Sequence, residues 1–143
     1  MKSIDLVAPC GLYCRDCVLY KDNISDDLKD AMSNKYEVPL DEVPCRGCRT
    51  EKGKHFHLTA GHCATLDCAG EKGVTYCFEC GDFPCELLAP LADGAGTYPH
   101  NLKVYNLCRM QKLGVEKWVD EEATKTKRAY MHKRFKVGKG LAD

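Results

Sequence analysis

Ten of the chain's 11 cysteines fall between residues 10 and 85, most of them in short-spaced sets. PCGLYCRDC carries Cys10, Cys14 and Cys17 in C-x3-C-x2-C spacing, and CRGC carries Cys45 and Cys48. CATLDC carries Cys63 and Cys68, and CFECGDFPC carries Cys77, Cys80 and Cys85. Such density means disulfides in an oxidising compartment or metal in a reducing one. The start MKSIDLVAPC holds an apolar run too short for a secretory signal, so a cytoplasmic location is expected. Two thiolates separated by two residues curl readily around one ion, which makes metal the expected outcome.

Zinc takes four ligands in a tetrahedron, and close thiolates supply them in pairs. The spacing suggests two ions. Cys45/Cys48 would join Cys63/Cys68 across a 14-residue loop. Cys14/Cys17 would join Cys77/Cys80, with Cys10 and Cys85 lying close by as alternative ligands. A structural zinc site contributes about 10–16 kcal/mol of apparent binding free energy. Net stabilities run to about 5–15 kcal/mol, so one such site decides whether a domain folds.

Two other chemistries stay open for the opening triplet. C-x3-C-x2-C is the spacing by which radical S-adenosylmethionine enzymes hold a [4Fe–4S] cluster. Those enzymes, however, place an aromatic residue before the third cysteine, where this chain has Asp16, and they need repeated βα units that do not appear after Cys17. A cluster held by the triplet and one distant cysteine is the alternative to zinc. Redox chemistry at Cys14 and Cys17 is the other, since Arg15 and a helix start would lower a thiol pKa. No acid–base pair or nucleophile constellation accompanies the cysteines, so no catalytic residue is assigned and enzyme activity is left open.

Outside the cysteines the pattern is mainly helical. A short helix is read over residues 10–20. Ser25 followed by two aspartates predicts a helix to residue 36, burying Leu28, Met32 and Ala31. A helix is expected over 65–72, ended by Gly73, and a helix entry at 83–88. Leu102, Tyr105, Leu107, Met110 and Leu113 are spaced for an amphipathic helix ending at Gly114. A second runs from Val115 towards Tyr130 with Trp118 in the core, and Cys108 is read as a buried apolar residue. The last 12 residues read as a strand-like tail. One domain is expected over 1–143, with a metal-binding part over 1–92, a helical part over 97–131 and a tail over 132–143.

Charge gives little direction to the search for partners. Twenty-one Lys+Arg balance 21 Asp+Glu, and no stretch is long and apolar enough for a bilayer span. His55, His57 and His62 are read as members of a solvated basic loop. Residues 125–139 hold seven Lys+Arg and no acid, with Tyr130 and Phe135 interleaved. That run makes nucleic acid a secondary candidate partner beside an undefined macromolecular one.

Together APCGLYCRDC, CRGC, HCATLDCAGEKGVTYCFECGDFPCELL and LGVEKW resemble an uncharacterised family of small cysteine-rich prokaryotic proteins, domain of unknown function 3795, which opens with CGLYCxxC. The resemblance implies a zinc-binding cytoplasmic protein. It supports Cys10, Cys14, Cys17, Cys45, Cys48, Cys63, Cys68, Cys77, Cys80 and Cys85 as the functional set, and it brings no activity. The expectation is therefore a small, metal-stabilised, mainly α fold. Its cysteine-rich irregular half forms zinc knuckles packed against C-terminal helices, and its role is structural or in interaction.

Overall fold

Ser25 starts the first helix as its spacing predicts. Its hydroxyl accepts the Leu28 amide at 3.2 Å, and Asp26 and Asp27 sit in the first turn, where the helix dipole favours anions. This helix, α1, is Asp26–Tyr36 in the computed structural model, which describes residues 3–57 and 61–141. It lies on the surface rather than in the core. Leu28 and Met32 are half-buried and Ala31 is exposed, because polar residues fill most of the turns between them.

Residues 10–20 are not a helix. Pro9 and Gly11 fold the chain into a tight loop, closed by the Ala8 amide on the Leu12 carbonyl at 2.9 Å and by a Val7–Tyr13 bridge. Only Cys14–Asp16 winds, as one 3-10 turn, and Val18 stays exposed. Between 83 and 88 the chain likewise forms only a 3-10 turn, Glu86–Leu88, preceded by a cis Phe83–Pro84 bond. Helix α2, Ala64–Glu71, agrees with its prediction and stops before Gly73, whose φ is +67°.

From Pro99 to Met131 the chain is almost continuously helical. Helix α3, Lys103–Leu113, ends at Gly114 and is followed by α4, Val115–Trp118. A π-helical turn, Val119–Ala123, carries the same rod into α5, Thr124–Met131. Arg109 of α3 clamps Glu122 of that turn with two bonds of 2.9 and 2.5 Å, which ties the two helical runs together. Lys133, with φ +56°, turns the chain into a two-stranded antiparallel hairpin, β1 Phe135–Lys136 and β2 Gly140–Leu141. The tail is thus strand-like, as expected.

Val7, Leu88, Leu107, Met110, Trp118 and Ala123 form the main core, so the cysteine-rich half does pack against the C-terminal helices. A second cluster holds Leu6, Ala8, Cys14 and Tyr20. Cys108 is exposed on the outer side of α3 with Tyr105, which overturns the reading of it as buried. The face of α3 that points inward carries Leu107 and Met110, with Asn106 buried beside them.

Gly11 seats the opening loop on α3. Its φ is +92°, and a Cβ there would lie 2.9 Å from both the Lys103 carbonyl oxygen and Leu107 Cγ. Asn106 Nδ2 donates to the Gly11 carbonyl at 2.9 Å from a buried position. Gly11→Ala is therefore expected to lower stability by about 1–3 kcal/mol. An unchanged thermal midpoint under anaerobic, reducing conditions would show that the close approach is not required.

Candidate metal centre

Backbone pairing decides which cysteines meet. The Tyr20–Cys45 bridge, with Cys45 N–H on Leu19 O and Lys21 N–H on Cys45 O, both at 2.8 Å, lays the CRGC segment beside the opening triplet. The Cys48 amide then donates to Cys14 Sγ at 3.4 Å. Cys14, Cys17, Cys45 and Cys48 therefore form one group. The spacing had paired Cys45/Cys48 with Cys63/Cys68, and Cys14/Cys17 with Cys77/Cys80. That pairing gives way because the short parallel bridge fixes the register of the two N-terminal segments.

A second group surrounds a small cavity of about 30 Å³ between α2 and the CFECGDFPC segment. Cys68, Cys77, Cys80 and Cys85 all line it, together with Thr65, Lys72, Asp82 and apolar side chains that include Phe83 and Leu88. That volume is enough for about one water-sized occupant. Cys10 lies between the groups, feeling the charges of Cys14 and Cys63 and acting on Cys48 and Cys77. The Pro9 carbonyl beside it accepts the Cys77 amide at 2.9 Å. Cys63 lies next to Gly53 and close enough to Cys10 for its charge to be felt there.

All 11 cysteines are free thiols. As placed, no group of three or more His, Cys, Asp or Glu side chains among the described residues could hold a metal ion. The thiol electrostatics nonetheless show what crowding does. Burial pushes Cys10 up to about 11, Cys45 up to about 11 and Cys77 up to about 12, and neighbouring thiolates add to each rise. Cys14 moves the other way, to about 7, chiefly because the Cys48 thiol donates a hydrogen bond to it. Cys48 is correspondingly raised. Within the first group Cys14 is thus the thiol that ionises most readily, while Cys45 and Cys48 are held protonated.

Amide and ammonium donors already point at the sulfurs. Gly47 N–H donates to Cys45 Sγ and Asp82 N–H to Cys80 Sγ, each at 3.4 Å and each from two residues further along the chain. Gly47, at φ +103°, makes the first of these turns. Lys72 Nζ reaches Cys80 Sγ at 3.4 Å and also pairs with Asp82. Arg49 donates to the carbonyls of Val7 at 2.8 Å and Thr75 at 2.7 Å and lies over the Tyr76 ring, so it spans both cysteine groups. Neither cation was singled out from the sequence. Their adjacency to Cys48 and to the end of α2 was the available signal.

His55 and His57 are not members of a solvated loop, whereas His62 is. His55 is buried, its Nε2 meets the Val43 carbonyl at 3.1 Å and its Nδ1 contacts His57 Nδ1. His62 is exposed, 3.9 Å from Asp67.

The family described as "Protein of unknown function (DUF3795)" matches residues 6–90. The chain belongs to this family. The DUF3795 match takes in both cysteine groups, Cys10 and Cys63, and stops before α3. Its description assigns no activity. No curated protein and no solved structure matches the chain significantly. Among the described residues, no helix is long and apolar enough to cross a membrane.

Burial, reinforced by His55 and His100 when charged, lowers His57 to about 4 from an ordinary 6.5. The unfolded chain then binds more protons than the folded one between about pH 6.5 and 4. The stability tied to neutral His57 is complete above that window and lost as pH falls through it. His57→Gln should flatten this part of the stability–pH curve. An unchanged slope in denaturant titrations would contradict the assignment.

Proposed function

We propose that this protein is a zinc-binding module without a catalytic site, holding two ions in thiolate sites and serving a structural or interaction role. The first site would use Cys14, Cys17, Cys45 and Cys48, and the second Cys68, Cys77, Cys80 and Cys85. The observation that carries the reading is the second group: four cysteines lining one small cavity, with an amide and a lysine already donating to Cys80. Thiols raised by burial and by each other favour ionisation together only beside a cation, which reverses the local pKa order. Backbone N–H bonds to sulfur spread the excess charge of a tetrathiolate site, as outer partners of metal ligands do. Binding would require small side-chain rotations that turn the sulfurs inward. Cys10 and Cys63 are left as flanking thiols.

Metal analysis of protein purified without oxygen tests this. About two zinc ions per chain are expected, in a colourless preparation. Cys14→Ser/Cys48→Ser should remove one ion and leave the other, since the two residues belong to one site. Loss of both ions would restore the pairing suggested by spacing. A brown protein with iron and little zinc would instead establish the cluster alternative.

A further inference from the structure

Zero net charge conceals a split along the chain. Residues 1–93 carry 10 Lys+Arg against 16 Asp+Glu, whereas residues 94–143 carry 11 against 5. Two segments of the basic half, 94–115 and 123–141, contain no acidic residue at all. The structure brings these two segments together. Ala95 and Gly96 from the first, and Tyr130, Met131, Lys133 and Phe135 from the second, line a cavity of about 220 Å³. Tyr130 Oη donates to the Ala95 carbonyl at 2.7 Å, which fixes one wall. The turn at Lys133 swings Phe135 and the hairpin over as another.

The charges of α5 and the hairpin are only partly answered from within the molecule. Lys127 turns back to the Asp16 carbonyl, and Thr124 holds the Asp16 carboxylate at 2.9 Å. Among the described residues, Arg128, Lys133 and Lys139 form no side-chain ion pair. All three are exposed. The cavity is smaller than the ~300–1,000 Å³ typical of drug-sized pockets, and its size suits a single planar ring system. Two aromatic rings, a methionine and a lysine at one opening, all from two chain segments that carry no acid, combine a stacking platform with an electrostatic track. An acidic peptide or an anionic membrane would use the charge and leave the aromatic slot without an occupant.

We propose that this cavity takes one base of a single-stranded nucleic acid, stacked against Phe135 and Tyr130, while Lys133 and the neighbouring cations of α5 and the hairpin hold the flanking phosphates. The site lies beyond the segment shared with the DUF3795 family and does not depend on the metal reading.

Fluorescence anisotropy tests it on the full-length protein, with labelled single-stranded RNA and DNA of about ten nucleotides, the matching duplex, adenosine monophosphate, and vesicles containing anionic lipid. Single strands should bind in preference to duplex, mononucleotide and vesicles, with affinity falling as salt rises. The RNA and DNA arms identify the strand. Phe135→Ala should weaken binding about 5- to 150-fold, the loss of one stacked base. Phe135→Trp should retain affinity and show indole quenching by the oligonucleotide. Lys133→Gln, at an exposed turn, should reduce the salt slope by about one contact and tests the site even if the alanine variant disturbs the hairpin. Equal binding of duplex, mononucleotide or vesicles would overturn the proposal. So would no binding at low salt, or affinity unmoved by both Phe135→Ala and Lys133→Gln.

Discussion

The missing side chain at Gly11 lets the loop that carries Cys10 lie directly on α3, where a methyl group would stand 2.9 Å from the Lys103 carbonyl oxygen. Much of the cysteine-rich half follows from that contact. Asn106 holds the Gly11 carbonyl, and the loop then presents the Pro9 carbonyl to the Cys77 amide and Val7 to the main core. Cys10 comes to rest between two thiol groups that are far apart in sequence. The triplet after it runs out to meet CRGC through the Tyr20–Cys45 bridge. A few backbone contacts, rather than long elements, organise residues 6–90.

Crowding is the physical consequence. Apolar fillers are thin in this half, and small thiols occupy places where larger side chains would otherwise pack. Buried thiols resist ionising, and each resists more when a neighbour has ionised. Cys14 escapes because the Cys48 amide and thiol both donate to it. A divalent cation would convert this mutual opposition into cohesion, with Arg49 and Lys72 placed to offset the remaining negative charge.

Local signals were legible where the chain itself decides. Ser25 with two aspartates, the residues before Gly73, and the Leu107–Met110 face ending at Gly114 each gave the element that formed. Non-local choices were not legible. Spacing alone could not say that Cys14 meets Cys48, because a single isolated bridge, Tyr20–Cys45, sets that register. Nor could it say that residues 10–20 avoid a helix, which depends on Gly11 docking on a helix about 95 residues away in sequence. His55 looked like part of a basic loop, yet the Val43 carbonyl draws it inside. The short-spaced cysteines were readable from motif as candidates. Their division into groups needed the fold.

X-ray absorption at the metal edge of the protein as purified tests the central claim most directly. The account predicts zinc surrounded by four sulfurs at about 2.3 Å. A first shell dominated by nitrogen or oxygen would contradict it, as would an iron edge with neighbouring iron atoms.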